Sequence, residues 1–210
     1  MKIETLEVAG FAPALRGMRN PKDSWHLSDS YMCYLNPTPQ YVVGANDMKL
    51  AQNLIKGGTE HRKFLRMINV WFDADMPRYF WQEFDTYHHN TKNSCSTMHK
   101  LLARKTPITK EEFVTCHEDD DVMEIIVTRL EEIRKLYRNA TFSAFKERLL
   151  LRAKRLLPEG FLQLRTVCTN YEELRTIYHQ RKHHRLEEEW IDNFCKWVES
   201  LPYADEFIIK

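Results

Sequence analysis

"DTYHHNTKNSCSTMH", residues 85–99, holds three histidines, a cysteine, two asparagines, three threonines, two serines and a lysine in fifteen positions, with no apolar stripe among them. These side chains admit several chemistries. His88, His89, Cys95 and His99 are zinc-ligand types. No HExxH, CxxC or HxH spacing accompanies them, and adjacent histidines on one element diverge. Cys95 or Ser96 near His99 is the start of a nucleophile–base pair, although the sequence names no third, orienting group. Hydroxyl and amide donors followed by Lys100 and Arg104 suit a phosphate and the polar edge of a pyrimidine. The plainest reading is a capped, solvated turn. Elsewhere, His179 and His183 stand at the i,i+4 spacing that shares a helix face. "KGGTEHR" has paired glycines but neither phosphate-loop fingerprint.

The surroundings read as a helix-rich α+β protein, a single domain over residues 1–210 with a small sheet. "IETLEV" is a candidate strand. "SWHLSDSYMCYLNPTPQYVVGAND", with Pro37, Pro39 and Gly44, reads as irregular. "NDMKLAQNLIKGG" has helical spacing, a cap at Asn46 or Asp47, and glycines to stop it. Alternation around Val70 and Phe72 predicts a strand, and "RYFWQEFDTYHH" after Pro77 predicts a helix. Residues 119–137 predict a long helix with acids at its positive end and one apolar face: Val122, Ile125, Ile126, Leu130, Ile133 and Leu136. "TFSAFKERLLLRAKRLLP" predicts a second, ending near Pro158. Leu162–Cys168 is a candidate strand. The C-terminal third reads as two helices with a break near His183 and His184.

A chain of 210 residues with 43% apolar and 29% charged residues supports a buried core without disulfide or metal staples. A formal net charge of +1 gives no global field for nucleic acid or membrane. No apolar run is long enough to span a bilayer, and the N-terminus does not read as a secretory signal. Five scattered cysteines predict reduced thiols and a cytoplasmic location.

With these residues in view, the opening stretch resembles the signature of the flavin-dependent thymidylate synthases, R-H-R-x-x-S-x-N-x-x-S-x-R. "FWQEFD" stands where that family has a short aromatic stretch. Thr86, Tyr87 and His88 take the Arg-His-Arg places and Thr91 the first Ser. Asn93 and Ser96 match, and Met98 takes the final Arg. Further on, "RAKRLLP" ends at Pro158, Asn170 follows twelve residues later and Arg181 eleven after that, as in the family's later motifs, with Glu189 at a family glutamate. "LIKGGTEHRKFLRMI" is similar to its Gly-His-x-x-Pro-x-Glu-His segment, with Arg66 near the second His. The similarity runs over about residues 50–200 and rests on order and spacing.

The resemblance implies a helix-rich fold with a small, mostly antiparallel sheet, and a homo-oligomer, a tetramer with shared sites. It implies methylation of dUMP with methylenetetrahydrofolate as carbon donor and reduced FAD as hydride source. Catalytic roles would fall to Arg181 and Ser96. Nucleotide contacts would come from Asn93, Ser94, Ser96, Glu83 and Arg181, and cofactor contacts from His88, Thr91, Asn170 and Arg66, with no metal. Loss of the three arginines removes charge-assisted phosphate contacts worth roughly 1.5–3 kcal/mol each. Two further readings therefore stand beside the enzyme: a nucleotide-binding protein without redox chemistry on the same fold, and a structural or interaction protein.

Overall fold

The computed structural model describes every residue except 36–38, so Pro37 lies outside the described residues. The chain is helix-rich α+β with small antiparallel sheets. Its strands are β1 (Lys2–Ala9), β2 (Tyr31–Cys33), β3 (Gln40–Val42), β4 (Asn69–Pro77), β5 (Thr91–Ser94) and β6 (Leu162–Asn170). Its helices are α1 (Phe11–Arg19), α2 (Ala45–Lys56), α3 (Arg78–Phe84), α4 (Asp120–Asn139), α5 (Ser143–Leu156), α6 (Tyr171–Arg181) and α7 (Lys196–Glu199), the last preceded by a π-helical stretch, Glu187–Cys195. One sheet has the order β1-β4-β6-β5, and β2 pairs with β3 antiparallel, Met32 opposite Tyr41. Among the described residues no helix is long and apolar enough to cross a membrane.

The contacts divide into two compact units. The first is residues 1–2, 74–86 and 93–165; the second is 3–73, 87–92 and 166–210. In the first, α4 and α5 form a hairpin. Leu130, Ile133, Leu149 and Ala153 pack with Leu101, Ile108, Phe113, Leu157 and Phe161 into one core cluster. The spacing of α4 was expected to bury Val122, Ile125 and Leu136, and it does not. Met123, Leu130, Ile133 and Arg134 face inward. Ile125 is 70% exposed and Val122 50%. Helical periodicity identifies an apolar stripe but not which edge of it the partner helix covers.

The second unit is built around aromatic contacts. Phe11 meets Tyr171 edge-on at 5.6 Å, Phe64 meets Phe207 at 5.8 Å, and Phe72 packs on Trp197 at 4.3 Å. Gly10 enters α1 at φ 101°, and a Cβ there would lie 2.1 Å from the Met67 carbonyl oxygen, so only glycine fits.

Three local expectations are corrected here. The expected cap of α2, Asn46 or Asp47, is absent. Gly44 takes that place, and Asp29, from far back in the chain, accepts the Asn46 and Asp47 N–H groups at 2.9 and 3.1 Å. The stretch read as irregular contains the β2–β3 pair. α3 stops at Phe84, short of the histidines.

Candidate functional site

In the first unit the polar stretch turns against a pocket of about 310 Å³. After β5, Cys95 donates its backbone N–H to the Leu164 carbonyl at 2.8 Å. Ser96 then caps a helical turn. Its carbonyl accepts the Lys100 N–H at 2.9 Å, and its Oγ accepts the His99 N–H at 3.3 Å, the geometry of a helix N-cap. Ser96, Thr97 and Lys100 line the pocket together with Leu101, Phe161, Leu162 and Leu164, and Asp75, Glu112 and Arg104 complete it. Thr97 Oγ1 accepts from Lys154 Nζ at 2.6 Å. Burial, with Arg78 nearby, holds the Lys154 amine below its ordinary pKa. Arg104 is largely spent within the protein. Its two terminal nitrogens reach Glu112 at 2.5 Å, and one also donates to the Pro107 carbonyl, while its Nε is buried without a partner. Of the other expected nucleotide residues in this unit, Asn93 and Ser94 are exposed at the end of β5, and Glu83 is half-buried on α3.

In the second unit, the segment 87–90 is bound to both ends of α6. Tyr87 lies at the C-terminal end. Its hydroxyl receives Arg181 Nε at 2.9 Å and donates to Gln180 Oε1 at 2.9 Å. The Arg181 guanidinium stacks 4.6 Å over Trp190 and 5.6 Å from the Tyr87 ring, and meets His184 Nε2 at 2.9 Å. At the other end, the buried Glu173 carboxylate accepts the His89 N–H (2.6 Å), the Asn90 amide (2.9 Å) and the Thr169 hydroxyl (2.6 Å). Asn170 is the N-cap: its Oδ1 accepts the Glu173 N–H at 3.0 Å, and its amide donates to the His89 carbonyl at 3.4 Å.

Asn170 and Arg181 therefore sit eleven residues apart on one helix, about 16 Å along its axis. Each is already held by protein groups. His88 and Thr91 are exposed, as is Arg66 on the short helical turn Lys63–Met67. His179 lies on α6 with Nε2 at the Ile208 carbonyl, whereas His183 follows the helix end, so the i,i+4 pair does not form. Among the described residues no group of three or more His, Cys, Asp or Glu side chains could hold a metal.

Comparison with protein-family models finds no match, and comparison with curated proteins finds none either. Solved structures do match. The flavin-dependent thymidylate synthase ThyX from Helicobacter pylori, complexed with FAD and dUMP, superposes with a TM-score of 0.73 at 18% identity, covering 99% of this chain and 98% of that one. A second structure of that organism's Thymidylate Synthase X, also with FAD and dUMP, gives 0.71 at 17% identity, covering 100% and 97%. The fold is that of the flavin-dependent thymidylate synthases.

At the places where the resemblance has Arg-His-Arg, this chain has Thr86, Tyr87 and His88. Thr86 donates its hydroxyl to the Glu83 carbonyl at 2.7 Å, Tyr87 is engaged by Arg181, and His88 is exposed. None is a permanent cation, and the carboxylate of Glu173 is bonded to the same segment. Sequence reasoning gave Glu173, His184 and Asp75 no role, and it placed Tyr87 only by its position in the motif. Asp75 carried no signal in the sequence, since it shares the half-buried face of "NVWFDADMP" with Asn69 and Asp73.

Proposed function

We propose that this chain binds a pyrimidine nucleotide, such as dUMP, in the pocket around Ser96, and does so without flavin redox chemistry. The observation that carries the reading is the pocket itself. Its lining combines Ser96, Thr97 and Lys100 with Leu101, Phe161, Leu162 and Leu164. Phosphate suits the first and a flat base the second. In this reading Asn93, Ser94 and Glu83 border the nucleotide. Asn170 and Arg181 hold α6 and the 87–90 segment in place.

A second reading, the thymidylate synthase-type enzyme, is favoured by the likeness to structures that hold both FAD and dUMP. There Arg181 and Ser96 act on the nucleotide, and His88, Thr91, Asn170 and Arg66 face the flavin, with a folate as carbon donor. Under either reading we take the chain as one domain, because it passes between the units five times, at 2/3, 73/74, 86/87, 92/93 and 165/166. We also take it as a homo-oligomer, a tetramer as in the resemblance. The exposed Val122, Ile125 and Phe142 supply apolar surface for that assembly. Five unbridged cysteines suit the cytoplasm.

Absorbance and thermal melting of the purified protein separate the readings. The first predicts no flavin band near ~450 nm before or after incubation with FAD, and a rise in melting temperature with dUMP or another pyrimidine nucleotide. A yellow protein that keeps its flavin through gel filtration establishes the second reading instead. No shift with any pyrimidine nucleotide removes both.

A further inference from the structure

Helix α4 carries two seams of side chains, and the core of the first unit covers one of them. Met123, Leu130 and Ile133 are buried there, with Ile126 and Val127 packed against the same cluster. One position earlier on the helix, Val122, Ile125, Arg129, Glu132 and Leu136 follow one another at alternating steps of three and four residues. That spacing keeps side chains on one face and is the spacing of a helix-pairing seam. All five are exposed. At the middle of the seam Arg129 donates to Glu132 at 2.6 Å, and toward its ends stand the apolar Val122, Ile125 and Leu136. Apolar side chains left in water along such a line suit a second helix of matching spacing.

The charges on the same helix choose the partner and its direction. Up to Thr128, α4 carries Asp120, Asp121 and Glu124 and no base. From Arg129 on, the bases Arg129, Arg134, Lys135 and Arg138 outnumber Glu131 and Glu132. Arg134 is buried and held by Glu131, whereas Lys135 and Arg138 are exposed. A parallel copy of α4 would set acids on acids. An antiparallel copy sets the acidic half on the basic half, and one register satisfies the seam. In it Ile125 meets Leu136 of the second copy, Arg129 meets its Glu132, Glu124 lies beside its Arg138, and Val122 sits at the rim opposite its Asn139. The two-fold axis passes level with Leu130 and Glu131, so every contact occurs twice. We propose that α4 docks antiparallel against α4 of a second copy of this chain, through Ile125, Arg129, Glu132 and Leu136. This inference rests on the homo-oligomer reading and adds to it a surface, a direction and a register.

The test is particle mass by light scattering of the full chain over a range of concentrations, with circular dichroism to confirm that each variant keeps its helices. The wild type should be oligomeric. Ile125→Asp sets a carboxylate against Leu136 on both sides of the axis and should lower the mass by about half at the same concentration. Arg129→Glu and Glu132→Arg each bring like charges together and should weaken the contact about tenfold. The two changes combined restore opposite charges and should recover most of that loss. A parallel pairing would set position 129 on position 129 and show no recovery. Oxidation of the Ile125→Cys, Leu136→Cys double variant fixes the register. Those positions lie about 16 Å apart on one helix, too far for a disulfide within a chain, so a bridge between them joins two copies. Should Ile125→Asp fail to fold, this bridge, located by peptide mass mapping, decides alone. A monomer at every concentration removes this inference and the homo-oligomer reading together. An oligomer that Ile125→Asp leaves intact, a charge swap without recovery, or no bridge between 125 and 136 overturns the α4 contact while the homo-oligomer reading stands.

Discussion

Asp47 is fully buried, yet it carries a charge. Its carboxylate receives Arg19 Nε at 2.5 Å and the hydroxyls of Ser28 and Ser30 at 2.6 Å each. This arrangement gives the polar residues of the first fifty positions a structural task that no local pattern announced, because the partners lie up to 28 residues apart. Burial alone would raise the Asp47 pKa. The hydrogen bonds from Ser28, Ser30 and Arg19 outweigh it and hold the carboxyl below its ordinary range. A depressed folded pKa means that the stabilisation is complete above the unfolded value, about 3.9, and is lost as pH falls through the folded one. Removing one partner of such a pair costs about 3–5 kcal/mol. Urea denaturation should therefore show Asp47→Asn destabilised by roughly that much at pH 7. The gap to the wild type should close in melts taken below about pH 4. A gap that stays constant into acid would show that the charge itself contributes nothing.

At the scale of elements, α6 shows how one residue's family role and its structural role differ. Asn170 stands where the resemblance puts a cofactor contact, and in this structure it caps the helix and ties down His89. Asn170→Ala should cost about 1 kcal/mol and Asn170→Asp should recover most of it, since either side chain can cap. Chemical denaturation of both variants measures this, and an alanine variant as stable as the wild type would refute the capping account. Strands β1, β4 and β6 and helices α4, α5 and α6 were readable from alternation, acidic first turns and Pro158, because those signals are local. The β2–β3 pair was not readable, since three-residue strands are too short to show a period. Nor was the inward face of α4. Its burial depends on where α5 docks, and α5 leaves Ile125 in the open. The cap of α2 was missed for a related reason, as it comes from Asp29 rather than from the helix's own start.

For the whole molecule, order and spacing carried the fold although identity to the solved structures is only 18%. Core positions tolerate exchange among apolar residues of similar volume, so one fold is compatible with identity this low. The site was less legible than the fold. Ser96 was visible as a polar residue in a turn, but its meeting with Asp75, Phe161 and Leu164 in one pocket needed coordinates, as did the engagement of Arg181 by Trp190, Tyr87 and His184. The central claim is that a nucleotide's phosphate and base are held in the pocket lined by Ser96 and Lys100. Calorimetric titration with a pyrimidine nucleoside monophosphate at two salt concentrations tests it most directly. The account predicts one saturable site per chain, weaker at higher salt and weakened about tenfold by Lys100→Ala through loss of a charge-assisted contact. Saturable binding that neither Lys100→Ala nor salt changes, or no binding heat at any concentration, would contradict it.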